Sequence, residues 1–115
     1  MLSRRDKLSA RDMLNAARRA LRYAGDVDEP AFAGDEMRVD AAMNALSVVG
    51  EASKRISPDG RRAFPGLDWR RLADIRQFIV HKYFLVDPLE LRETILREIP
   101  AIVAVLDAAL GETKT

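Results

Sequence analysis

The sequence predicts an all-α fold, a single-domain antiparallel bundle of four to five helices over residues 1–115, with a kinked C-terminal helix. Apolar residues recur at helical spacing in four blocks, segments with Pro and Gly separate those blocks, and no stretch alternates like a strand. The 115 residues allow one modest core. With 48% hydrophobic and 32% charged residues, the composition is typical of a folded helical protein.

The first block predicts a helix from about Ser3 to Tyr23, which ends near Gly25. A loop over residues 26–34 should follow, because it contains a proline and flanking polar residues. The core face of this helix is expected to include Leu8, Leu14 and Leu21.

The second block predicts a helix from about Asp35 to Ile56, with Asp35 as the N-cap. Gly50 in its middle costs about 1 kcal/mol against Ala, so we expect a close approach of another backbone there. Turning by 100° per residue separates two faces. The apolar face holds Ala42, Ala45, Leu46, Val49, Ala52 and Ile56, and the polar stripe holds Asp40, Asn44, Ser47 and Glu51.

The third block predicts a helix over residues 69–83, capped by Asp68. Arg76 falls inside its apolar face. A guanidinium is always charged and is costly to bury unpaired, so Arg76 needs a carboxylate, an exposed cleft or a bound anion. The expected partners are Asp40 and Glu51 of the second helix. The apolar face itself consists of Trp69, Leu72, Ile75, Ile79, Val80 and Tyr83.

The fourth block predicts a helix that Asp87 caps, with Pro88 at its first position, where a missing N–H does no harm. Pro100 lies inside this helix. It removes one hydrogen bond and crowds the carbonyl four residues earlier, so we expect either a bent helix or two short ones.

Composition excludes several classes of site. The chain has no cysteine and one histidine, so disulfides and a multi-histidine metal cluster within one chain are excluded, and we expect no metal and no cofactor. The N-terminus lacks the apolar core of a signal peptide, and no apolar run reaches the ~18 residues that span a bilayer. We therefore expect a cytoplasmic protein without membrane contact. Because the net charge is only +1, RNA contact must be local.

Residues 76–83, RQFIVHKY, read as Arg, four residues, His, one residue, Tyr. This is the Rx4HxY signature of HepT-like toxins in the HEPN superfamily, and the segments 37–56 and 65–84 also resemble that family. The resemblance implies a metal-independent endoribonuclease that acts as a homodimer. It also implies a cognate antitoxin, a minimal nucleotidyltransferase of the MntA type, which transfers AMP to the motif tyrosine, here Tyr83. Gln77 and Lys82 depart from the family pattern. The family more often has Asn, Asp or His in place of Gln77 and Gly in place of Lys82.

The resemblance assigns catalysis to Arg76 and His81. Cleavage of RNA without metal needs a base, an acid and a cation beside the phosphate. Histidine exchanges protons near neutral pH, and the guanidinium can bind phosphate with two hydrogen bonds. The expected supporting residues are Gln77, Lys82, Asp40 and Glu51.

Helix geometry complicates this site, because His81 lies five residues from Arg76, about 140° around an ideal helix. Either the helix distorts or ends near Val80, or a second subunit completes the cleft; we favour the dimer. The alternative function is non-catalytic: a HEPN accessory module that binds nucleotide or substrate for a partner nucleotidyltransferase.

Overall fold

A computed structural model describes residues 2–82 and 87–111, without the side chains of residues 80–82. All regular structure in these ranges is helical, which confirms the predicted fold class. Four long helices correspond to the four predicted blocks, and two short helices lie between them. In chain order they are α1 (Arg4–Gly25), α2 (Glu29–Ala33), α3 (Glu36–Lys54), α4 (Pro58–Arg61), α5 (Trp69–Lys82) and α6 (Pro88–Leu110).

The long helices run antiparallel to their neighbours. Arg38 near the start of α3 donates to the carbonyl of Tyr23 near the end of α1, at 3.0 Å. Arg55 at the end of α3 reaches Asp12 in the first half of α1, at 3.5 Å. Contacts between residues of the two helices also show that α6 is antiparallel to α1. In the same way, α5 is antiparallel to α3. The predicted up-and-down bundle is thus confirmed.

The core is one cluster of buried side chains contributed by the four long helices, by α2 and by the segments on either side of α4. The predicted apolar face of α3 is confirmed, since its six residues are at most 2% exposed. The prediction for Leu8 is wrong, because this side chain is 54% exposed. Leu8 lies five residues, or about 140° around the helix, from the fully buried Met13. Among the largest fully buried side chains are Phe32, Phe64, Leu14, Leu46, Leu91 and Ile95.

The segment predicted as a loop over residues 26–34 contains α2. Asp28 caps this helix by accepting from the Ala31 N–H at 3.0 Å, and Pro30 occupies its first turn, where proline is tolerated. Phe32 is fully buried and fixes the short helix against the core. Burial of one aromatic ring therefore orders a segment whose turn-forming residues favour a loop.

The last helix continues through Pro100 as one element, so the alternative of two short helices is wrong. Pro100 is exposed on the outer side of the bundle. The predicted cap is confirmed, because Asp87 accepts from the Leu89 N–H at 3.0 Å. None of the described helices is long and apolar enough to cross a bilayer.

The N-terminal end of α1 is tied to α4 by a buried carboxylate. Asp6 is 4% exposed, and it accepts from the backbone N–H of Ser57 at 2.9 Å and from the Ser57 hydroxyl at 2.5 Å. These hydrogen bonds hold the pKa of Asp6 below its ordinary value. Gly60 leaves room for the carboxylate, because a Cβ there would collide with it.

The C-terminal end of α1 is held by two arginines from other helices. Arg92 of α6 donates to the carbonyls of Ala24 at 2.9 Å and Val27 at 3.0 Å, and Arg38 of α3 donates to Tyr23. Carbonyls at a helix C-terminus carry partial negative charge, so cations are favoured there. Both ends of α1 are therefore anchored by other parts of the bundle.

Candidate active site

Helix α5 carries the Arg-x4-His segment, and its start is fixed by Asp68. This residue accepts from the Arg71 N–H at 3.0 Å, which confirms the predicted cap. The inner face of α5 is buried, with Leu72, Ile75 and Ile79 each at most 5% exposed. The burial of these three side chains sets the rotation of the helix against α3 and the core, and so determines where Arg76 points.

Arg76 starts from a point of direct contact between α5 and α3. A Cβ added to Gly50 would lie 3.0 Å from the Cβ of Arg76 and 3.2 Å from its Cα. A larger residue at this position would therefore require α5 to give by a few tenths of an ångström. This confirms the prediction that another backbone approaches Gly50, and it identifies that backbone as the Arg76 turn of α5.

Glu51 is the carboxylate partner of Arg76. The Arg76 Nε donates to Glu51 Oε2 at 2.8 Å, and the side chains are 27% and 45% exposed. An ion pair this open to water contributes at most about 1 kcal/mol to stability, so its main effect is to orient the guanidinium. The prediction that the acidic stripe of α3 supplies a partner is confirmed for Glu51.

Asp40 does not share this role. It is exposed near the start of α3, eleven residues before Glu51, which is about 16 Å along the helix axis. Among the described residues it makes no ion pair with Arg76. The expectation that Asp40 pairs with Arg76 is wrong, because α5 meets α3 near its C-terminal end.

The other motif residues fall at or beyond the limit of the described side chains. The backbone of α5 is helical through His81 and Lys82, which is the end of the helix in the described residues. The side chains of His81 and Lys82 lie outside the described residues, as does the whole of Tyr83. Their catalytic, supporting and AMP-accepting roles stay predictions, and so does completion of the site by a second subunit.

A cleft of about 210 Å³ opens beside Arg76, between α3, α4 and α5. Gln77 is exposed at this cleft, next to Arg76, which suits the predicted supporting role. We refer to it as the basic cleft. Its polar and aromatic side chains are Ser53, Lys54, Arg61, Trp69, Arg76 and Gln77.

Sequence reasoning did not find the cleft residues Lys54, Arg61 and Trp69. They come from three separate helices, and only the antiparallel packing of α3 and α5 brings them beside Arg76. The helical pattern assigns Trp69 to the apolar face of α5, yet this side chain is only partly buried. The structure places it beside a cation: the Arg61 Cζ lies 5.1 Å from the centre of the Trp69 ring, a proximity that no pattern in the sequence indicates.

The opposite side of α5 has different electrostatics. Arg71 donates to Glu98 of α6 through Nε at 3.1 Å and Nη2 at 2.5 Å. This pairing lowers the pKa of Glu98 and raises that of Arg71. The cleft there, about 200 Å³, also contains Asp74, Glu90 and Arg97, so its carboxylates outnumber its cations. Of these two clefts, the one on the Arg76 side of α5 offers an excess of positive charge.

The described residues contain no group of three or more His, Asp or Glu side chains that could hold a metal ion. The fold and the site together define an antiparallel helical bundle with a basic cleft beside the motif arginine. Comparison with known proteins makes the class specific, because residues 13–109 match the family model described as "Ribonuclease HepT-like". The chain belongs to the HepT-like ribonuclease family. This confirms the predicted resemblance and the prediction of an endoribonuclease.

Three relatives illustrate the similarity. "Putative RNase MJ1380" of Methanocaldococcus jannaschii is 32% identical over 102 residues, which cover 88% of this chain and 94% of that protein. "Probable ribonuclease HepT" of Thermococcus cleftensis is 38% identical over 71 residues, 62% of this chain and 64% of its own. "Putative RNase MJ0125" of Methanocaldococcus jannaschii is 34% identical over 91 residues, 79% and 78% of the two chains. No solved structure matches the chain.

Proposed function

We propose that this chain is the toxin of a toxin–antitoxin pair and cleaves RNA without a metal ion, using Arg76 and His81. The observation that carries the proposal is the position of Arg76. Its side chain is partly exposed, oriented by Glu51 and directed along a basic cleft, five residues before the histidine on the same helix. Such a cation, open to solvent beside a positive surface, suits an RNA phosphate.

The proposed reaction is an internal transfer at phosphorus. A base removes the proton of the ribose 2′-OH, whose oxygen attacks the adjacent phosphorus, while an acid protonates the departing 5′-oxygen. The products are a 2′,3′-cyclic phosphate and a free 5′-OH. His81 serves as base or acid, and Arg76 stabilises the charge that develops on the phosphate oxygens.

A homodimer supplies the second proton-transfer group in this proposal. The chain has one histidine, whereas the reaction needs both a base and an acid. On a continuous helix His81 and Arg76 leave the axis about 140° apart. Two copies facing each other across α5 would bring two histidines to one phosphate.

Cleavage tests this function directly. Purified protein should cut varied RNAs in EDTA, and His81→Ala should slow cutting by about 100-fold or more, the size expected for loss of a general acid or base. Tyr23→Phe is a matched control, because it changes an aromatic residue outside the basic cleft. Helical circular dichroism and the oligomeric state of His81→Ala should equal those of wild type.

Two results would count against the ribonuclease mechanism. If pure wild-type protein leaves all RNAs intact in EDTA, the result favours the non-catalytic accessory role. If His81→Ala cuts at the wild-type rate, the chemistry belongs to other residues.

We also propose that the cognate partner is a minimal nucleotidyltransferase that silences the toxin by modifying Tyr83. The tyrosine oxygen would attack the α-phosphorus of ATP, forming an O–P bond and releasing pyrophosphate. The attached AMP carries a negative phosphodiester, which would compete with RNA for Arg76.

Intact mass spectrometry checks the acceptor. After incubation with the partner and ATP, wild type and Tyr23→Phe should gain mass in steps of one AMP, whereas Tyr83→Phe should gain none. The chain has only these two tyrosines, so the pair of variants separates them. A Tyr83→Phe protein that still gains AMP contradicts the assignment.

A further inference from the structure

The basic cleft extends the positive surface of Arg76 toward the start of α5. Trp69 and Arg76 are seven residues apart, so the cleft runs for about 10 Å along the helix. Apart from Arg76 and Gln77, its residues take no part in the chemistry described above. This extension is therefore open to a second role beside the reacting phosphate.

Cations dominate the cleft. Lys54, Arg61 and Arg76 line it, and no carboxylate does. Lys54 is exposed and makes no ion pair among the described residues, and Arg61 has no carboxylate partner there either. By contrast, neighbouring Arg62 pairs with Asp59. Two positive charges are thus available to an anion in a chain whose net charge is only +1.

An aromatic surface lies among these cations. The guanidinium of Arg61 lies over the Trp69 ring, and its Nε donates to the Ile56 carbonyl at 3.3 Å, which fixes its plane. The buried ring of Phe64 supports the indole, with ring centres 6.5 Å apart. Single-stranded bases stack on aromatic rings and on guanidinium planes, while lysine and arginine bind their phosphates.

We infer that the basic cleft binds one nucleotide of the RNA strand next to the cleaved bond. Lys54 and Arg61 contact the phosphate, and the Arg61–Trp69 pair provides the stacking surface for the base. This inference rests on the proposed ribonuclease function and assigns to it a substrate-binding subsite. Because every base has a π-face, the subsite requires an unpaired nucleotide but does not select its identity.

The fluorescence of Trp69 reports binding to the cleft directly, since it is the only tryptophan in the chain. A His81→Ala chain, which should bind without cutting, is titrated with a short single-stranded oligoribonucleotide of mixed sequence. We expect the emission of Trp69 to be quenched as the base stacks. The same sequence as a blunt duplex should quench it much less.

Charge-removing variants identify the residues. Lys54→Gln and Arg61→Gln in the His81→Ala background should together weaken binding about 10-fold or more. They should also reduce the slope of log affinity against log salt by about 0.7, the value for one phosphate contact to a single strand. Lys7→Gln and Arg62→Gln remove the same charges from exposed positions outside the cleft. These controls should leave affinity and quenching near the starting values.

The outcomes separate this inference from the ribonuclease proposal. The cleft variants are also made in the wild-type background to measure cutting. If wild type cuts RNA while Lys54→Gln, alone or with Arg61→Gln, binds like its control in the His81→Ala background and cuts like its control in the wild-type background, the subsite is overturned and the ribonuclease stands. If no RNA is cut but the oligoribonucleotide quenches Trp69 and the cleft variants abolish this, the cleft binds a single-stranded nucleotide as inferred, and the ribonuclease proposal fails. Lys54 is exposed, so Lys54→Gln tests the subsite even if Arg61→Gln does not fold.

Discussion

At the scale of single residues, the position of Arg76 depends on the missing side chain of Gly50. Glycine is an unfavourable choice inside α3, where Ala would be better by about 1 kcal/mol. The contact with the Arg76 backbone explains why glycine is there: the two helices approach this closely because Gly50 has no Cβ. Gly50 thus lowers the stability of α3 but allows close packing of α3 against α5 at the candidate site.

Gly50→Ala should therefore lose both stability and activity. The added Cβ requires the Arg76 turn of α5 to give by a few tenths of an ångström, and we expect this overpacking to cost about 1–3 kcal/mol, against about 1 kcal/mol gained in helix propensity. Because Arg76 moves with the α5 backbone, we expect the cleavage rate to fall as well, by less than the 100-fold that a misplacement of about 1 Å can cause. Urea unfolding and RNA cleavage rates measure the two effects.

Gly25→Ala is the matched control, because a Cβ there would meet only the Leu96 side chain at an ordinary 3.5 Å. It should keep full activity and unchanged or higher stability. Wild-type stability and cleavage in Gly50→Ala would show that the helices can accommodate the methyl group and that the contact does not position Arg76.

At the scale of helices, Asp6 couples the start of α1 to α4, and this link should depend on pH. The folded-state pKa of Asp6 is lowered by hydrogen bonds from Ser57. A lowered pKa means that the ionised form favours folding. The stabilisation is fully present above the unfolded-state pKa, about 4, and is lost as the pH falls through the lower folded-state value.

The measurement is the free energy of unfolding at pH 7 and near pH 3. Wild type should lose stability on acidification, and Asp6→Asn should be weaker at pH 7 and lose less of its stability on acidification. Asp12→Asn is the control, because Asp12 is 59% exposed and pairs with Arg55 only at 3.5 Å. Equal acid sensitivity of Asp6→Asn and wild type would mean that the link does not contribute.

At the scale of the whole molecule, the sequence predicted what depends on periodicity and local capping. Four long helices, the Asp35, Asp68 and Asp87 caps and the buried face of α3 all follow from such local rules. It did not predict α2, because that helix depends on the burial of Phe32 in the core.

The candidate site shows the same division. The unusual position of Arg76 and its Glu51 partner were predicted, since a charged residue in an apolar stripe requires compensation. The relative position of α5 along α3 decides whether Arg76 meets Asp40 or Glu51. The same position brings Lys54 and Arg61 close to Trp69. No pattern within one helix contains that information.

The two anchored ends of α1 have a consequence for the timescale of motion. Helices usually open from their ends, but here Ser57 holds one end while Arg38 and Arg92 hold the other. The amides in the middle of α1 should therefore exchange with deuterium only when the entire bundle unfolds, whereas those of α2 exchange through brief local openings. Native-state hydrogen exchange in low denaturant would show this as one shared exchange rate along α1, the slowest in the chain.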